Sequence, residues 1–252
     1  MKVTAIIGSA RKKHTYETTE KFLKRLQLYG DVEYEIIRLS EYNLGICKGC
    51  KLCLDKGEEL CNLKDDRNLI LGKMKTSDGV IFASPNYSFH VSAIMKQFLD
   101  RLGFVFHRPQ FFGKTFTSIV AQGIYGGNKI VRYFNFIGKA LGYNMVKGIC
   151  VSNLEPVSEK VVKKNEKQIE KLAKKYYKQL VKQELPKPSL FDLFVFRMSR
   201  TSMKQKLNES FKDFTYYTEK GWFNSDFYYS VNLSPAKKLI GRFFDFMAVK
   251  LS

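Results

Sequence analysis

Residues 3–15 of the chain read VTAIIGSARKKHT, a short apolar run that stops at Gly8 and passes into a stretch rich in hydroxyls and cations. The run from Val3 to Ile7 is almost continuously apolar and β-branched, which is typical of a parallel strand covered on both faces. A helical pattern follows, and the start of a helix offers unpaired N–H groups and a positive dipole end. The stretch therefore predicts a strand, an anion-binding loop and a helix, and points to a phosphorylated cofactor.

The composition is that of an ordinary globular chain, with 252 residues, 44% hydrophobic and 27% charged. This length fits one domain with an extension, or two small domains. No apolar run approaches the roughly 18 residues that span a bilayer, and the N-terminus lacks the apolar region of a secretory signal. We therefore expect a cytoplasmic protein.

The net charge of +19 raises the question of nucleic-acid binding. Many of the lysines lie on one helix, predicted from about Ser158 to Gln183, where they form a solvated face. No signature of a nucleic-acid-binding module accompanies them. The charge thus favours an anionic substrate, an acidic partner or a membrane surface over nucleic acid. The net charge is also compatible with a basic binding protein that has no enzymatic activity, and this is the alternative function of another class.

Strands and helices alternate along the first two thirds of the chain. After the first strand, apolar segments at 34–39, 80–83, 116–121 and 145–151 read as four more strands, with helical patterns between them. Five strands joined through helices imply right-handed crossovers and a doubly wound parallel α/β sheet. Ligands bind such sheets beyond the carboxyl ends of the strands. The loops at 8–15, 84–92 and 122–128 all follow strands, so they should converge on one edge.

Two of these loops resemble a known family. The loop from Gly8 to Thr15 and the sequence Ser84-Pro85-Asn86-Tyr87 resemble, over roughly residues 1–182, the NADPH-dependent FMN reductase branch of the flavodoxin-like flavoproteins. The resemblance implies a flavodoxin-like sheet with strand order 2-1-3-4-5, FMN as cofactor and NAD(P)H as co-substrate. Residues implied to bind FMN are Ser9, Arg11, Lys13, His14 and Thr15, then Pro85, Asn86, Tyr87 and Ser88, and finally Gln122, Gly123 and Tyr125.

The activity implied by this resemblance is that of an FMN-dependent NAD(P)H oxidoreductase. Hydride would pass from the nicotinamide to flavin N5, and electrons would pass on to a quinone, another small acceptor or a redox partner. Since the flavin carries this chemistry, no side chain is required as a general acid or base.

Four cysteines crowd into one loop with the spacing C-x2-C-x2-C-x7-C. They are Cys47, Cys50, Cys53 and Cys61. Such compact spacing suits the four thiolates of a 4Fe-4S cluster, and it resembles the iron-sulfur flavoproteins of the same superfamily. An iron-sulfur flavoprotein that carries electrons is thus the alternative function, while a structural zinc site and plain reduced thiols are the alternative readings of the loop.

The pattern changes beyond residue 185. A proline-containing break at 186–189 is followed by an unusual density of aromatic residues and by a last helix that begins near Pro235. We therefore divide the chain into a flavodoxin-like domain, residues 1–185, and a helical, aromatic-rich extension, residues 186–252. The extension is predicted to form a lid or the contact of a homodimer or larger homo-oligomer. Its lysines and arginines also allow contact with an anionic membrane surface.

Overall fold

The computed structural model describes residues 1–251 and contains two compact units. The first unit comprises residues 1–48 and 63–184. The second comprises residues 49–62 together with the described residues from 185 onward. The segment that carries Cys50, Cys53 and Cys61 thus belongs to the second unit, whereas Cys47 belongs to the first.

The first unit is built on a parallel sheet. Its strands are β1 (Lys2–Ile7), β2 (Glu33–Arg38), β3 (Gly79–Pro85), β4 (Thr115–Gln122), β5 (Asn144–Met145) and β6 (Ile149–Ser152). The strand order is β2-β1-β3-β4-β5, with β6 also paired to β4, and every pairing is parallel. This order confirms the predicted flavodoxin-like fold.

The fifth position of the sheet holds two short strands instead of the single strand predicted at 145–151. Both β5 and β6 pair with β4, and residues 146–148 interrupt them. A Cβ atom on Gly148 would lie 2.3 Å from the carbonyl oxygen of Ser118 in β4. The chain therefore crosses β4 at a distance that only glycine allows, and this close passage separates the two strands.

Helices cover both faces of the sheet. In chain order the helices of the whole structure are α1 (His14–Gln27), α2 (Leu52–Asp55), α3 (Arg67–Thr76), α4 (Ala93–Arg101), α5 (Gly103–His107), α6 (Gly127–Ala140), α7 (Glu159–Lys182), α8 (Leu190–Lys206), α9 (Lys212–Glu219) and α10 (Pro235–Leu251). On one face α1 and α7 bury Phe22 and Tyr176, whose rings meet edge to face at 5.6 Å. On the other face Phe82 contacts Phe98 of α4 and Phe134 of α6. The predicted lysine-rich helix is α7.

The second unit contains α2 and the three C-terminal helices. Its longest pair, α8 and α10, is joined by ion pairs, because Asp245 of α10 accepts hydrogen bonds from Arg197 and Arg200 of α8. Trp222 packs among aromatic rings, with Tyr217 at 4.9 Å and Tyr228 at 4.7 Å between ring centroids. None of the helices within residues 1–251 combines the length and the hydropathy that a bilayer-spanning helix needs.

Candidate flavin-binding cleft

The loops that follow β1, β3 and β4 meet at the carboxyl edge of the sheet and line one open cleft. The cleft has a volume of about 490 Å³, with the solvent at its mouth included. Its walls are formed by Ser9, Arg11, Lys13, His14, Thr15, Pro85, Asn86, Tyr87, Ala121, Gln122, Gly123 and Asn153. All twelve residues belong to the first unit.

The first loop is held against the helix that follows β3. The N–H of Gly8 donates to the carbonyl of Ala83 at 2.8 Å, and the carbonyl of Gly8 accepts from the hydroxyl of Ser92. A Cβ atom on Gly8 would lie 2.6 Å from Cβ of Met95, so only glycine fits here. This close approach fixes the direction in which the loop leaves β1 and enters the cleft.

The start of α1 faces the cleft through His14 and Thr15. Within the described chain no side chain caps this helix end, so its first N–H groups remain available to a ligand. Arg11 and Lys13 stand beside it as exposed cations, and His14 Nε2 lies 2.9 Å from Glu155 Oε1. Unpaired N–H groups, a positive dipole end and a guanidinium together form a site for a phosphate group.

The second and third loops are tied to each other. The backbone N–H of Asn86 donates to the carbonyl of Ala121 at 2.8 Å, and Asn86 Nδ2 donates to the carbonyl of Tyr125 at 2.8 Å. Gln122 Oε1 accepts from the N–H of Gly127 at 2.7 Å, which holds the start of α6 against the third loop. These bonds keep the two walls of the cleft at a fixed separation.

Two amide side chains in the walls each have one atom without a partner. Asn86 Oδ1 and Asn153 Nδ2 are buried, and neither has a hydrogen-bond partner among residues 1–251. Leaving a buried polar atom unpaired costs about 1–3 kcal/mol, so such atoms in a cleft indicate that a ligand satisfies them. One is an acceptor and the other a donor. A flat heterocycle with both donors and acceptors on its edge, attached to a phosphate, fits this cleft.

The family model for the NADPH-dependent FMN reductases matches residues 1–153, which is more than half of the chain and includes every wall of the cleft. The chain belongs to this family. The family is one of FMN reductases, so membership gives this chain FMN as its cofactor. Membership argues against the non-enzymatic binding protein that the net charge left open.

Individual relatives agree with this membership. An iron-sulfur flavoprotein of Archaeoglobus fulgidus is 38% identical over 144 residues, covering 56% of this chain and 64% of that protein, so the match spans slightly less than two thirds of its length. An iron-sulfur flavoprotein of Clostridioides difficile is 28% identical over 225 residues, 86% of this chain and 94% of that protein. The solved structure of RosB with bound 8-demethyl-8-formylriboflavin-5'-phosphate has the same fold, with a TM-score of 0.54, 13% identity and coverage of 93% and 92%.

Most of the site residues predicted for this FMN reductase family member lie together in the cleft. Ser88 and Tyr125 do not line it: Ser88 lies in a tight turn, and the ring of Tyr125 packs against Phe89 at 5.2 Å. Sequence reasoning missed Ala121 and Asn153. Asn153 directly follows β6, so the rule that ligands bind beyond the carboxyl ends of strands would have found it.

The cysteines of this family member are not arranged as a metal site in the described structure. Cys47 and Cys50 are exposed, Cys53 is half-buried and Cys61 is buried. Across residues 1–251 no three His, Cys, Asp or Glu side chains are grouped so that they could hold a metal ion. The predicted cluster therefore stays a prediction. The fifth cysteine, Cys150, belongs to the first unit, and burial raises the pKa of its thiol to about 11.

Proposed function

We propose that this chain is an FMN-dependent NAD(P)H oxidoreductase that passes electrons from a reduced nicotinamide, through FMN, to a quinone, another small acceptor or a redox protein. The observation that supports the proposal is the cleft itself. It joins an uncapped helix start, a guanidinium and two unpaired amide atoms at the strand edge where α/β folds bind nucleotides. These features suit the phosphate and the ring of one ligand.

Each loop would have its own task in holding FMN. The hydroxyls of Ser9 and Thr15 and the guanidinium of Arg11 would bind the phosphate, with most of the affinity arising there. Pro85, Asn86 and Tyr87 would lie beside the ring. Gln122 and Gly123 would lie opposite, where Asn153 Nδ2 adds a donor.

FMN, when bound, supplies the two-electron chemistry by accepting hydride from the nicotinamide at N5. The side chains bind and orient the ring and shape its electrostatic surroundings. Asn86 Nδ2 donates one of its two hydrogens to the carbonyl of Tyr125, and the unpaired Oδ1 would accept a hydrogen bond from the ring. Asn86 Oδ1 would thus serve as an acceptor, and Asn153 Nδ2 as a donor, for groups on the edge of the ring.

The phosphate assignment is tested by measuring FMN affinity in two matched variants. Arg11→Ala should weaken FMN binding about 10- to 100-fold, because a charge-assisted hydrogen bond contributes roughly 1.5–3 kcal/mol. Lys12→Ala removes the same charge from the neighbouring position, whose side chain lies over the Tyr16 ring instead of in the cleft. Its affinity should change by less than about threefold. Equal losses of FMN affinity in both variants would contradict the assignment, because they would show that only the net charge near the cleft affects binding.

The activity is tested by anaerobic spectroscopy of the FMN-loaded protein. NADPH or NADH should bleach the flavin absorption, and the faster of the two identifies the preferred nicotinamide. Readmission of a quinone should restore the absorption. Protein that retains no FMN after desalting, even when it has been incubated with an excess, would overturn the proposed function.

A second candidate is an iron-sulfur flavoprotein in which Cys47, Cys50, Cys53 and Cys61 hold a cluster that exchanges electrons with partners. Two observations favour it: the curated relatives described above are iron-sulfur flavoproteins, and the donor set is four thiols within 15 residues.

Anaerobic purification followed by iron and sulfide analysis tests this second candidate. About four irons and four sulfides per chain are expected. Cys53→Ser should lose them, whereas Cys150→Ser, a thiol outside the cysteine loop, should retain them. Iron below about one per chain after anaerobic reconstitution would exclude a 4Fe-4S cluster and leave the flavin function unaffected.

A further inference from the structure

The loop at residues 8–13, called here the phosphate loop, is held from outside the cleft by an arginine of the neighbouring strand. Arg38 is the last residue of β2, which pairs with β1. Its Nη1 donates to the carbonyl of Ala10 at 3.1 Å, and its Nη2 binds the carboxylate of Glu41. The side chain of Arg38 is only 16% exposed. One guanidinium nitrogen is thus anchored by an ion pair while another holds the loop.

Arg38 does not belong to the cleft wall. The lining residues follow other strands, and none of them lies between positions 16 and 84. β2 is the edge strand, separated from β3 by β1, so Arg38 stands on the side of the phosphate loop that faces away from β3. Glu41 also neutralises its charge, which weakens any attraction to an anion at long range. The bond to Ala10 is therefore the contact through which Arg38 can affect a ligand.

This bond sets the direction of a backbone N–H group. The peptide between Ala10 and Arg11 is trans and planar, so its C=O and its N–H point in opposite directions. Arg38 holds the C=O toward β2, and the N–H of Arg11 is directed to the opposite side, on which the cleft lies. Within residues 1–251 this N–H has no hydrogen-bond partner. The hydroxyl of Ser9 restrains the next peptide by donating to the carbonyl of Arg11 at 3.1 Å.

Packing contributes little to the order of this part of the loop, because Ala10, Arg11 and Lys12 are all exposed. Without Arg38 the peptide could rotate and present the carbonyl of Ala10, a partial negative charge, to a bound phosphate. An N–H that already points at the ligand site loses little entropy on binding. Backbone N–H groups fixed in this way around a loop are an effective site for an anion.

We propose that Arg38 is a positioning residue of the FMN site, which turns the N–H of Arg11 toward the phosphate by binding the carbonyl of Ala10. The inference rests on the proposed function, which supplies FMN as the ligand. Riboflavin has the same ring system and no phosphate. Arg38 therefore contributes to the affinity for FMN and not to the affinity for riboflavin.

The test compares the two affinities by fluorescence titration of the apoprotein. Arg38→Ala should weaken FMN binding about tenfold, the effect of about one charge-assisted hydrogen bond, and should change riboflavin binding by less than about twofold. Arg38→Lys keeps a donor for one carbonyl, so its FMN affinity should stay within about threefold of wild type. Lys73→Ala is the matched control, because it removes a partly buried cation that pairs with Glu35 of the same strand. It should alter neither affinity.

Phosphorus NMR of the FMN-loaded protein reports on the phosphate directly. Its resonance should move in Arg38→Ala and keep the wild-type position in Lys73→Ala. Unchanged FMN affinity in Arg38→Ala, or equal losses for FMN and riboflavin, would overturn the role of Arg38. Wild-type protein that binds FMN with these properties but is not bleached by NADPH or NADH would overturn the proposed oxidoreductase function and leave the role of Arg38 intact.

Discussion

Two asparagine amides distinguish this cleft from an ordinary strand-edge crevice. Asn86 Oδ1 and Asn153 Nδ2 are unpaired within residues 1–251, and both residues line the cleft. Satisfying a buried polar atom recovers the cost of its desolvation, so the two amides should contribute to affinity and to the orientation of the ring.

Asn153→Ala should therefore weaken FMN binding about 5- to 30-fold, which corresponds to a hydrogen bond of roughly 1–2 kcal/mol. Fluorescence titration of the apoprotein with FMN measures this change. Asn128→Ala, an exposed asparagine at the start of α6 that does not line the cleft, is the matched control. An affinity equal to that of wild type in Asn153→Ala would show that the amide does not reach the ligand.

Asp65 joins the two ends of the cysteine loop to α4. Its carboxylate accepts from the N–H groups of Gly45 (2.8 Å) and Arg67 (3.2 Å), which flank the loop, and from Arg101 (3.1 Å). Burial alone would raise the pKa of Asp65, but the hydrogen bonds from Arg101 and the two N–H groups together lower it below its ordinary value of 3.8. The ionised form is thus stabilised by folding.

A lowered pKa means that this stability is present above about pH 4 and is lost as the pH falls through the folded-state value. Asp65→Asn should therefore reduce the free energy of unfolding at pH 7 by about 3 kcal/mol, because a buried guanidinium loses its charged partner. The difference from wild type should shrink as the pH falls below about 4. Urea unfolding at several pH values measures it, with Asp100→Asn, whose partner Lys96 is half-exposed, as control.

At the scale of single residues, sequence reasoning was most successful where a motif stood at the end of a strand. Ten of the twelve predicted flavin residues line the cleft because each lies at the carboxyl end of β1, β3 or β4 or in the loop and helix start that follow it. Tyr125 does not line the cleft, and its ring packs against Phe89 next to the left-handed Gly126, so its role at the flavin stays a prediction. Such a contact depends on the distance between two loops, and the sequence of either loop alone does not predict that distance.

At the scale of elements, α8 and α10 depend on a polar interface. Arg197 is 5% exposed and donates to Asp245 at 2.7 Å and also to Asp226, while Thr201 donates to Asp245 at 2.7 Å. A Cβ atom on Gly241 would lie 3.2 Å from the guanidinium of Arg197, so α8 and α10 approach each other closely at this point. Sequence periodicity predicted α10 but offered no sign of its partner.

Asp245→Ala should destabilise the second unit by about 3–5 kcal/mol, because two largely buried guanidiniums lose a shared counter-charge. Trp222 is the chain's single tryptophan and belongs to the second unit, so its fluorescence during urea unfolding measures the loss. The control is Asp55→Ala, which removes an i,i+4 pair with Lys51 in the same unit and should cost less than about 1 kcal/mol. A loss of under 1 kcal/mol in Asp245→Ala would contradict the role of the network.

At the scale of the whole molecule, we expect FMN binding to raise the free energy of unfolding. Every residue of the cleft belongs to the first unit, so FMN links three loops that are far apart in the sequence. At a free concentration of 100 times its Kd, FMN should add about 2.7 kcal/mol to the free energy of unfolding. Far-UV circular dichroism in urea measures this gain. Riboflavin, which lacks the phosphate, should add much less at the same concentration, and an equal gain would contradict a phosphate site at α1.

Self-association stays a prediction. On α10 the residues Leu239, Phe243 and Phe246 are 68%, 56% and 54% exposed, and they lie opposite Gly241 and Ala248, which are buried. A helix that is apolar on both sides normally covers its second side with another surface. We therefore expect a homodimer or larger oligomer by sedimentation velocity, and a shift to monomer in Phe243→Glu. A wild-type monomer at micromolar concentration would contradict it.

The sequence by itself determined the main strands and helices, their alternation and the strand edge at which the cleft opens. These follow from local periodicity, from glycines at strand ends and from the handedness of βαβ crossovers, all of which act over a few tens of residues. Only the tertiary structure decided that residues 49–62 belong with the C-terminal helices, that Asn153 enters the cleft and that Phe89 stands exposed on Tyr125. Those outcomes depend on packing between segments that are far apart in the sequence. The free energy of such a contact depends on both segments together, so neither segment alone predicts it.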